Sequence, residues 1–214
     1  MKYGNFFSLS IAVASLVLIT PQLSRAETRN GADNTAMNST AYSSAAQQEA
    51  AQMVSGQAHL VKTLDARKVQ PGQQFEAVVD GTIHLKNGTE LRHGTVLIGN
   101  VVTDNMHSNG ADGGSRLALR FTDAKLKDGK TVPIEATIAG VAGPASYSGY
   151  ASTNNAPPVW SHSALVIDEQ GAMSGVDLHS RIAGANSGVF VSNRKDDVKL
   201  NAGSQLSLAI AARG

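Results

Sequence analysis

The six histidines are the side chains best suited to chemistry, because imidazole binds metals and exchanges protons near neutral pH. They are His59, His84, His93, His107, His162 and His179. None of them forms an H-x-H or H-E-x-x-H pattern, and the chain has no cysteine for a Cys/His zinc site. The sequence therefore predicts no metal site and no cofactor. A zinc site assembled from distant residues is the less favoured alternative.

Catalytic serine chemistry has little support in the sequence. Ser161-His162-Ser163 places hydroxyls beside an imidazole, but adjacency along the chain does not produce the geometry of a triad. There is no G-x-S-x-G nucleophile elbow. The oxygen-rich loop Asp104–Ser115 lacks the ligand spacing of a calcium-binding loop, so we interpret it as a connection. We predict that the chain is not an enzyme.

A long segment from Gly140 to Gly175 is rich in Gly, Ala, Ser, Asn and Pro. Segments of this length without regular structure are often functional or mobile insertions. It contains the only tryptophan, Trp160, together with Tyr147 and Tyr150. Aromatic side chains often anchor interfaces, so these three residues are our candidate interaction loop.

The elements that must carry such loops are β-strands. Apolar and polar residues alternate in several segments between His59 and the C-terminus, which is typical of strands with one buried face. Between them, Asn87-Gly88 and Asp128-Gly129 favour tight hairpin turns. We expect an all-β fold, a single small antiparallel β-barrel or sandwich. The predicted inward-facing residues are Phe75, Ala77, Val79, Ile83, Leu85, Leu117, Leu119, Phe121, Val132, Ile134, Ala136, Ile138, Leu206, Leu208 and Ile210.

One phrase occurs twice. Leu91 to Leu97 and Leu200 to Leu206 both read L-x-x-G-[ST]-x-L and lead into a strand-like run. The glycine permits a sharp turn, and the hydroxyl can bond a neighbouring backbone group. We predict two equivalent corners of one barrel, at Gly94 and Gly203.

The N-terminus predicts export. Residues 1–26 have Lys2, an apolar run and small residues at Ser24 and Ala26, the pattern of a signal peptide cleaved after Ala26. An uncleaved membrane anchor is the alternative. Removing these residues leaves a nearly neutral chain, so we predict no nucleic-acid partner, and we predict no membrane span in the mature chain. Residues 27–58 are predicted to be disordered or weakly helical, and 59–214 to be the β-barrel domain with a flexible insertion at about 140–175.

The turn motifs resemble the conjugation TrbI-like family, the C-terminal β-barrel of the outer-membrane core subunit of type IV secretion systems. The positions that carry the resemblance are Pro71, Gly72, Gly94, Thr95, Gly99, Arg116, Leu117, Asp128, Gly129, Gly203, Ser204 and Leu206. It covers about residues 60–140 and 188–212. Arg92 stands where that family has a proline, and the family's anchor and proline-rich stalk are absent.

The signal peptide, the strand and turn pattern and this resemblance together predict an exported, non-enzymatic cell-envelope module, located in the periplasm or secreted, with an envelope protein as its partner. The alternative is a periplasmic ligand-binding or hydrolytic protein with a site at the barrel mouth. The sequence does not decide the oligomeric state.

Overall fold

The computed structural model describes residues 46–102, 115–144, 165–182, 184–192 and 197–213. A short helix, α1, spans 46–52. The described residues contain no helix with the length and apolarity needed to cross a bilayer. The strands are β1 (Val54–Leu60), β2 (Leu64–Asp65), β3 (Gln74–Val79), β4 (Ile83–His84), β5 (Glu90–Leu91), β6 (Val96–Val101), β7 (Arg116–Lys125), β8 (Thr131–Ala142), β9 (Val166–Met173), β10 (Val176–Arg181), β11 (Gly188–Ser192), β12 (Lys199–Leu200) and β13 (Gln205–Ala212).

Six strands form a closed antiparallel barrel. Their order is β6-β3-β1-β13-β8-β7, and β7 pairs again with β6. Closure gives every strand of the ring two neighbours and so removes free edges from the barrel. The predicted all-β class is confirmed, and the architecture is the barrel rather than the sandwich.

The barrel interior is filled by the inward-facing side chains of each alternating segment. Of the residues that the alternation predicts to face inward, all are buried except Val132, which is partly buried against the same cluster. Phe75 and Phe121 meet edge to face inside the barrel, with ring centroids 5.1 Å apart. Burial of these aliphatic and aromatic groups is the main stabilising term of the fold.

Both predicted hairpin turns are present. Gly88 and Gly129 have φ of +87° and +85°, which glycine adopts without steric cost. Asn87 Oδ1 accepts from the Thr89 backbone at 3.0 Å, and Asp128 Oδ1 accepts from the backbone of the residue two further on at 3.0 Å. That hydrogen bond is the largest cause of the lowered pKa of Asp128.

The repeated phrase forms two equivalent corners, as predicted. Gly94 has φ of +83° and Gly203 has φ of +80°. The Gly94 amide donates to the Val79 carbonyl at 2.9 Å, and the Gly203 amide donates to the Leu60 carbonyl at 2.7 Å. Each glycine thus ties its corner to the last residue of a neighbouring barrel strand, β3 in one case and β1 in the other.

The hydroxyl-bearing residue after each glycine completes the corner through its backbone. Thr95 and Ser204 accept, through their carbonyls, from the amides of Val79 at 2.9 Å and Leu60 at 3.0 Å. The expected side-chain hydrogen bond is wrong at the second corner, because the buried Ser204 Oγ has no hydrogen-bond partner within the described ranges.

An approximate two-fold axis relates the two corners and passes between β1 and β3. The Asp80 amide, just after β3, donates to the Gln57 carbonyl of β1 at 3.0 Å. The Val61 amide, just after β1, donates to the Glu76 carbonyl of β3 at 3.0 Å. Exchanging β1 with β3, and β13 with β6, therefore maps one corner onto the other.

The barrel begins earlier than the predicted boundary at residue 59, because β1 starts at Val54. The alternating pattern is not visible there, because the inward-facing position 56 is a glycine and carries no apolar side chain. An added Cβ at Gly56 would clash with Ile83 Cδ1, so any larger residue here would require the Ile83 side chain to shift. The prediction that residues 27–58 are disordered or weakly helical is therefore wrong for 54–58, which belong to β1. Residues 27–45 lie outside the described ranges.

The predicted insertion at about 140–175 is also narrower than expected. β8 continues to Ala142, and β9 occupies Val166–Met173. β9 carries mostly exposed residues, so it lacks the apolar alternation by which the other strands were recognised. The part from 145 to 164 lies outside the described residues.

β11, β10 and β9 extend the sheet outward from β7. β7 pairs with β8 only over Asp123–Lys125, while its first residues pair with β11. The two strands therefore diverge, and the seam between them needs other hydrogen-bond partners.

Ser187 supplies those partners at the fork. Its amide donates to the Leu119 carbonyl of β7 at 2.8 Å, and its Oγ accepts from the Phe121 amide at 2.9 Å. Its carbonyl accepts from the Ile138 amide of β8 at 2.7 Å. One buried serine thus joins both strands where direct pairing stops.

α1 packs on the outer surface of β8 and β13. Ala50 of α1 and Met53, just after the helix, form a second small apolar cluster with the outward-facing alanines Ala139, Ala209 and Ala211. Small side chains let the helix backbone lie close to the sheet.

Charged side chains affect the contact of α1 with the barrel in two opposite ways. Lys86, from the β4–β5 hairpin, donates from Nζ to the Ala51 carbonyl near the helix C-terminus. Burial, with the nearby Glu135 carboxylate as the second cause, raises the pKa of Glu49 on α1. The helix is therefore held by an apolar contact and opposed by a like-charge pair.

Candidate interaction surface

Among the described residues, the barrel interior is filled by packed apolar side chains. A notch outside the barrel, between β7, β8 and the turn before β11, has a volume of about 10 Å³. That is room for about one water molecule. Its charged lining residues are Arg120, Glu135 and Arg213.

β9 is the open edge of the main sheet. It pairs with β10 on one side, and in the described part of the chain no strand pairs with its other side. An open edge presents unpaired backbone donors and acceptors to which an extended segment can add. Two large apolar side chains are exposed among the described residues, Val61 at 39% and Val166 at 56%. The more exposed one, Val166, lies at the start of β9.

A bulge limits the regular part of this edge. β9 pairs with β10 in steady register from Val166 to Glu169, and the register then shifts before Met173. Gly171, with φ of +65°, donates its amide to Asp177 Oδ1 at 2.7 Å inside the bulge. Bulges increase local twist and interrupt pairing, so the accessible edge is the short segment Val166–Glu169.

Charge on this edge is acidic. Asp168 contacts His179 Nδ1 of β10, which lies directly opposite it in the register. Burial raises the pKa of Glu169 above the usual range of a carboxyl. Exposed acids on an edge strand oppose indiscriminate sheet-to-sheet aggregation, so a partner must suit this charge.

The predicted interaction loop does not fall on the described surface. Tyr147, Tyr150 and Trp160 lie outside the described residues, as do His107 and His162. The loop therefore stays a prediction. The described edge strand β9, Val166–Met173, lies within the same long segment of the sequence.

A polar cluster at the first corner was missed by sequence reasoning. His59 of β1 contacts Asp80 Oδ1 through its Nδ1. His93 Nδ1 lies 3.0 Å from the Asp80 carbonyl oxygen. The three residues are far apart in sequence and are brought together by the pairing of β1 with β3 and by the corner at Gly94, so no spacing rule could have found them.

The remaining described histidines are separate. His84 is exposed on β4, and His179 is paired with Asp168 on the outer sheet. No group of three or more His, Asp or Glu side chains with metal-site geometry occurs among the described residues. Asp197 forms an ion pair with Arg67.

Comparison with known proteins leaves the family open. No family model matches the chain, and no curated protein matches it. The fold is similar to a solved structure of ComB10 of the Com type IV secretion system of Helicobacter pylori, with a TM-score of 0.36 and 10% sequence identity. The match covers 74% of this chain and 84% of that chain. The TrbI-like resemblance therefore stays a prediction, and function is argued from the residues.

Proposed function

We propose that this chain is an exported, non-enzymatic structural or interaction module of the cell envelope, which binds a protein partner through its outer surface. The observation that carries the proposal is the filled interior of the barrel. Side chains such as Phe75, Leu97 and Phe121 occupy the space that a ligand-carrying barrel leaves open.

The open edge of β9 supports a partner-binding role. Val166–Glu169 combines a side with no strand partner in the described part of the chain, an exposed apolar side chain and two acidic side chains. Strand addition obtains affinity from main-chain hydrogen bonds and specificity from alternate side chains. A partner segment with apolar and basic residues in alternation suits this edge.

The envelope location rests on the sequence. The signal-peptide pattern of residues 1–26 and the TrbI-like turn motifs both favour an exported barrel. Binding in the periplasm or at the membrane surface follows from that location.

Site-specific photocrosslinking in the cells that make the protein tests the proposal. A photoreactive phenylalanine replaces Val166 on the open edge, and in a matched variant it replaces Lys127 in the exposed β7–β8 turn. The proposal predicts that the protein is found in the envelope or periplasmic fraction. It also predicts a discrete protein adduct from position 166 that is absent from position 127.

Protein retained in the cytoplasm, or the same adducts from both positions, would contradict the proposal. The alternative, a periplasmic ligand-binding or hydrolytic protein, predicts instead a small-molecule ligand retained by the purified chain. Native mass spectrometry of protein purified from the periplasm distinguishes these outcomes.

A further inference from the structure

We propose that the notch at the fork of β7 and β8 is a binding site for an oxyanion, the charged oxygen group that a carboxylate and a phosphate share. Two arginine side chains in its lining supply positive charge, and two buried hydroxyls supply further hydrogen bonds. This site is separate from the open edge of β9, and the inference does not depend on the proposed partner-binding role.

The first step is the shared face of the sheet. Arg120, Glu135, Thr137 and Arg213 all line the notch. Each is a chain neighbour of a residue whose side chain packs in the barrel core: Phe121, Ile134, Ala136 and Ala212. Successive side chains on a strand point to opposite faces, so all four lining side chains point to the outer face. The Arg213 amide donates to the Pro133 carbonyl at 3.0 Å, which holds this residue beside β8.

The second step is the charge of the notch. Arg120 and Arg213 are exposed, and neither forms an ion pair within the described ranges. A guanidinium presents several N–H donors in a planar fork that matches the oxygens of a carboxylate or a phosphate. Glu135 is the acidic residue of the lining, so two cationic groups face one carboxylate. The lining therefore keeps an excess of positive charge.

The third step is the pair of buried hydroxyls in the lining. Thr137 is 2% exposed, and its hydroxyl has no hydrogen-bond partner within the described ranges. Ser187 is 3% exposed, and its Oγ accepts from the Phe121 amide at 2.9 Å, which leaves the hydroxyl proton available to an acceptor. Leaving a buried hydroxyl unpaired costs free energy, and an anion oxygen accepts from both groups.

The fourth step is size. The notch has room for about one water molecule, which is also the space that one oxygen of an anion needs. One oxygen therefore enters the notch and meets the hydroxyls of Thr137 and Ser187. The other oxygens stay at the surface, where the exposed side chains of Arg120 and Arg213 contact them.

Nuclear magnetic resonance titration of the mature chain with inorganic phosphate, and separately with acetate, tests this site. Chloride keeps the ionic strength constant, because exposed charges are screened by salt. We expect saturable shifts of the Arg120 and Arg213 side-chain N–H signals with at least one of the two anions. Saturation by phosphate alone assigns the site to phosphate groups, and saturation by acetate alone assigns it to carboxylates.

Charge variants test which residues bind. Arg120→Gln and Arg213→Gln should each weaken binding by about 10-fold or more, because each removes a hydrogen bond to a charged group. Arg116→Gln is the matched control and should leave the affinity nearly unchanged, since Arg116 is exposed on the same face of β7 but does not line the notch. Glu135→Gln should strengthen binding by about 2- to 5-fold, because it removes a like charge.

Thr137→Val separates binding from folding. It keeps the size of the side chain and removes the hydroxyl, so binding should weaken by about 3- to 10-fold. Thermal melting should stay the same or rise, because the hydroxyl has no partner to lose. Shifts that do not saturate with either anion, or equal weakening by Arg116→Gln, would overturn the proposal. Unchanged affinity in Thr137→Val, or in an Arg120→Gln variant that melts like the unsubstituted protein, would overturn it as well.

Discussion

Gly94 and Gly203 hold the same left-handed backbone conformation, with φ of +83° and +80°, at two corners of one barrel. Each donates its amide to the last residue of a barrel strand, and the two acceptor strands, β3 and β1, are themselves neighbours. The repeated phrase in the sequence is thus the trace of a two-fold relation in the fold. It ties the middle of the chain to its last strand.

The first prediction concerns these glycines. Gly94→Ala and Gly203→Ala should each lower the free energy of unfolding by about 1–3 kcal/mol, because a Cβ is strained at this φ. Gly81→Ala is the control, since Gly81 is not in the positive-φ region and an added Cβ there meets nothing within 4 Å. Chemical denaturation measures all three variants. Equal effects at all three positions would show that the corners are not under this constraint.

The second prediction concerns the fork between β7 and β8. Ser187→Ala removes the acceptor of the buried Phe121 amide and should cost about 1–3 kcal/mol of stability. Ser180→Ala is the matched control, because Ser180 Oγ is buried and has no hydrogen-bond partner within the described ranges. Its removal should be nearly neutral. The account of the seam fails if Ser187→Ala also leaves the denaturation midpoint unchanged.

The third prediction concerns pH and the contact of α1. The pKa of Glu49 is raised in the folded state by burial and by Glu135, so folding becomes more favourable as pH falls through the window between the unfolded and folded pKa values. Above that window the ionised carboxylate opposes folding. Glu49→Gln should therefore stabilise the protein at pH 7, by only a few tenths of a kcal/mol because Glu49 is mostly exposed.

The stabilising effect of Glu49→Gln should disappear below about pH 4, where the carboxyl is protonated in both states. Glu135→Gln should stabilise the Glu49→Gln variant by less than it stabilises the unsubstituted protein, because the repulsion between the two carboxylates is already removed. Denaturation at the two pH values checks both statements. A loss of stability in Glu49→Gln at pH 7 would contradict this view of the helix contact.

The fourth prediction concerns the closing strand. Leu208 is 1% exposed, so Leu208→Asp places a carboxylate in the barrel interior and should unfold the domain. Ser207→Asp, on the opposite face of β13, should leave the protein folded. Circular dichroism and thermal melting separate the two. A cooperative melt of Leu208→Asp at the temperature of the unsubstituted protein would mean that β13 does not line the core.

Local chemistry made much of the fold predictable. The alternation of apolar and polar residues predicted the barrel strands that have one solvent-exposed and one buried face. The Asn-Gly and Asp-Gly pairs predicted the hairpins at Gly88 and Gly129. The corners at Gly94 and Gly203 were visible because the phrase repeats. These signals are local because each depends on residues a few positions apart.

The features that escaped prediction depend on distant contacts. The exposed strand β9 has no buried face that would produce an alternating pattern. The start of β1 is hidden because Gly56, which packs against Ile83 of another strand, contributes no apolar side chain to the pattern. The sequence around Ser187 does not distinguish it from other loop serines, because its role depends on the divergence of β7 and β8. His59 and His93 meet at Asp80 only after strand pairing.

The claim on which the account depends most is that β6 and β7 close the barrel. The chain has no cysteine, so Asn100→Cys with Arg120→Cys, a directly opposed pair across that seam, introduces its only two thiols. Asn100→Cys with Lys125→Cys is the control, since Lys125 pairs with Val96 at the far end of the same strands. After mild oxidation, a closed barrel predicts an intramolecular disulfide in the first variant and free thiols in monomers of the second. Free thiols in both variants, or disulfides only between chains, would contradict closure.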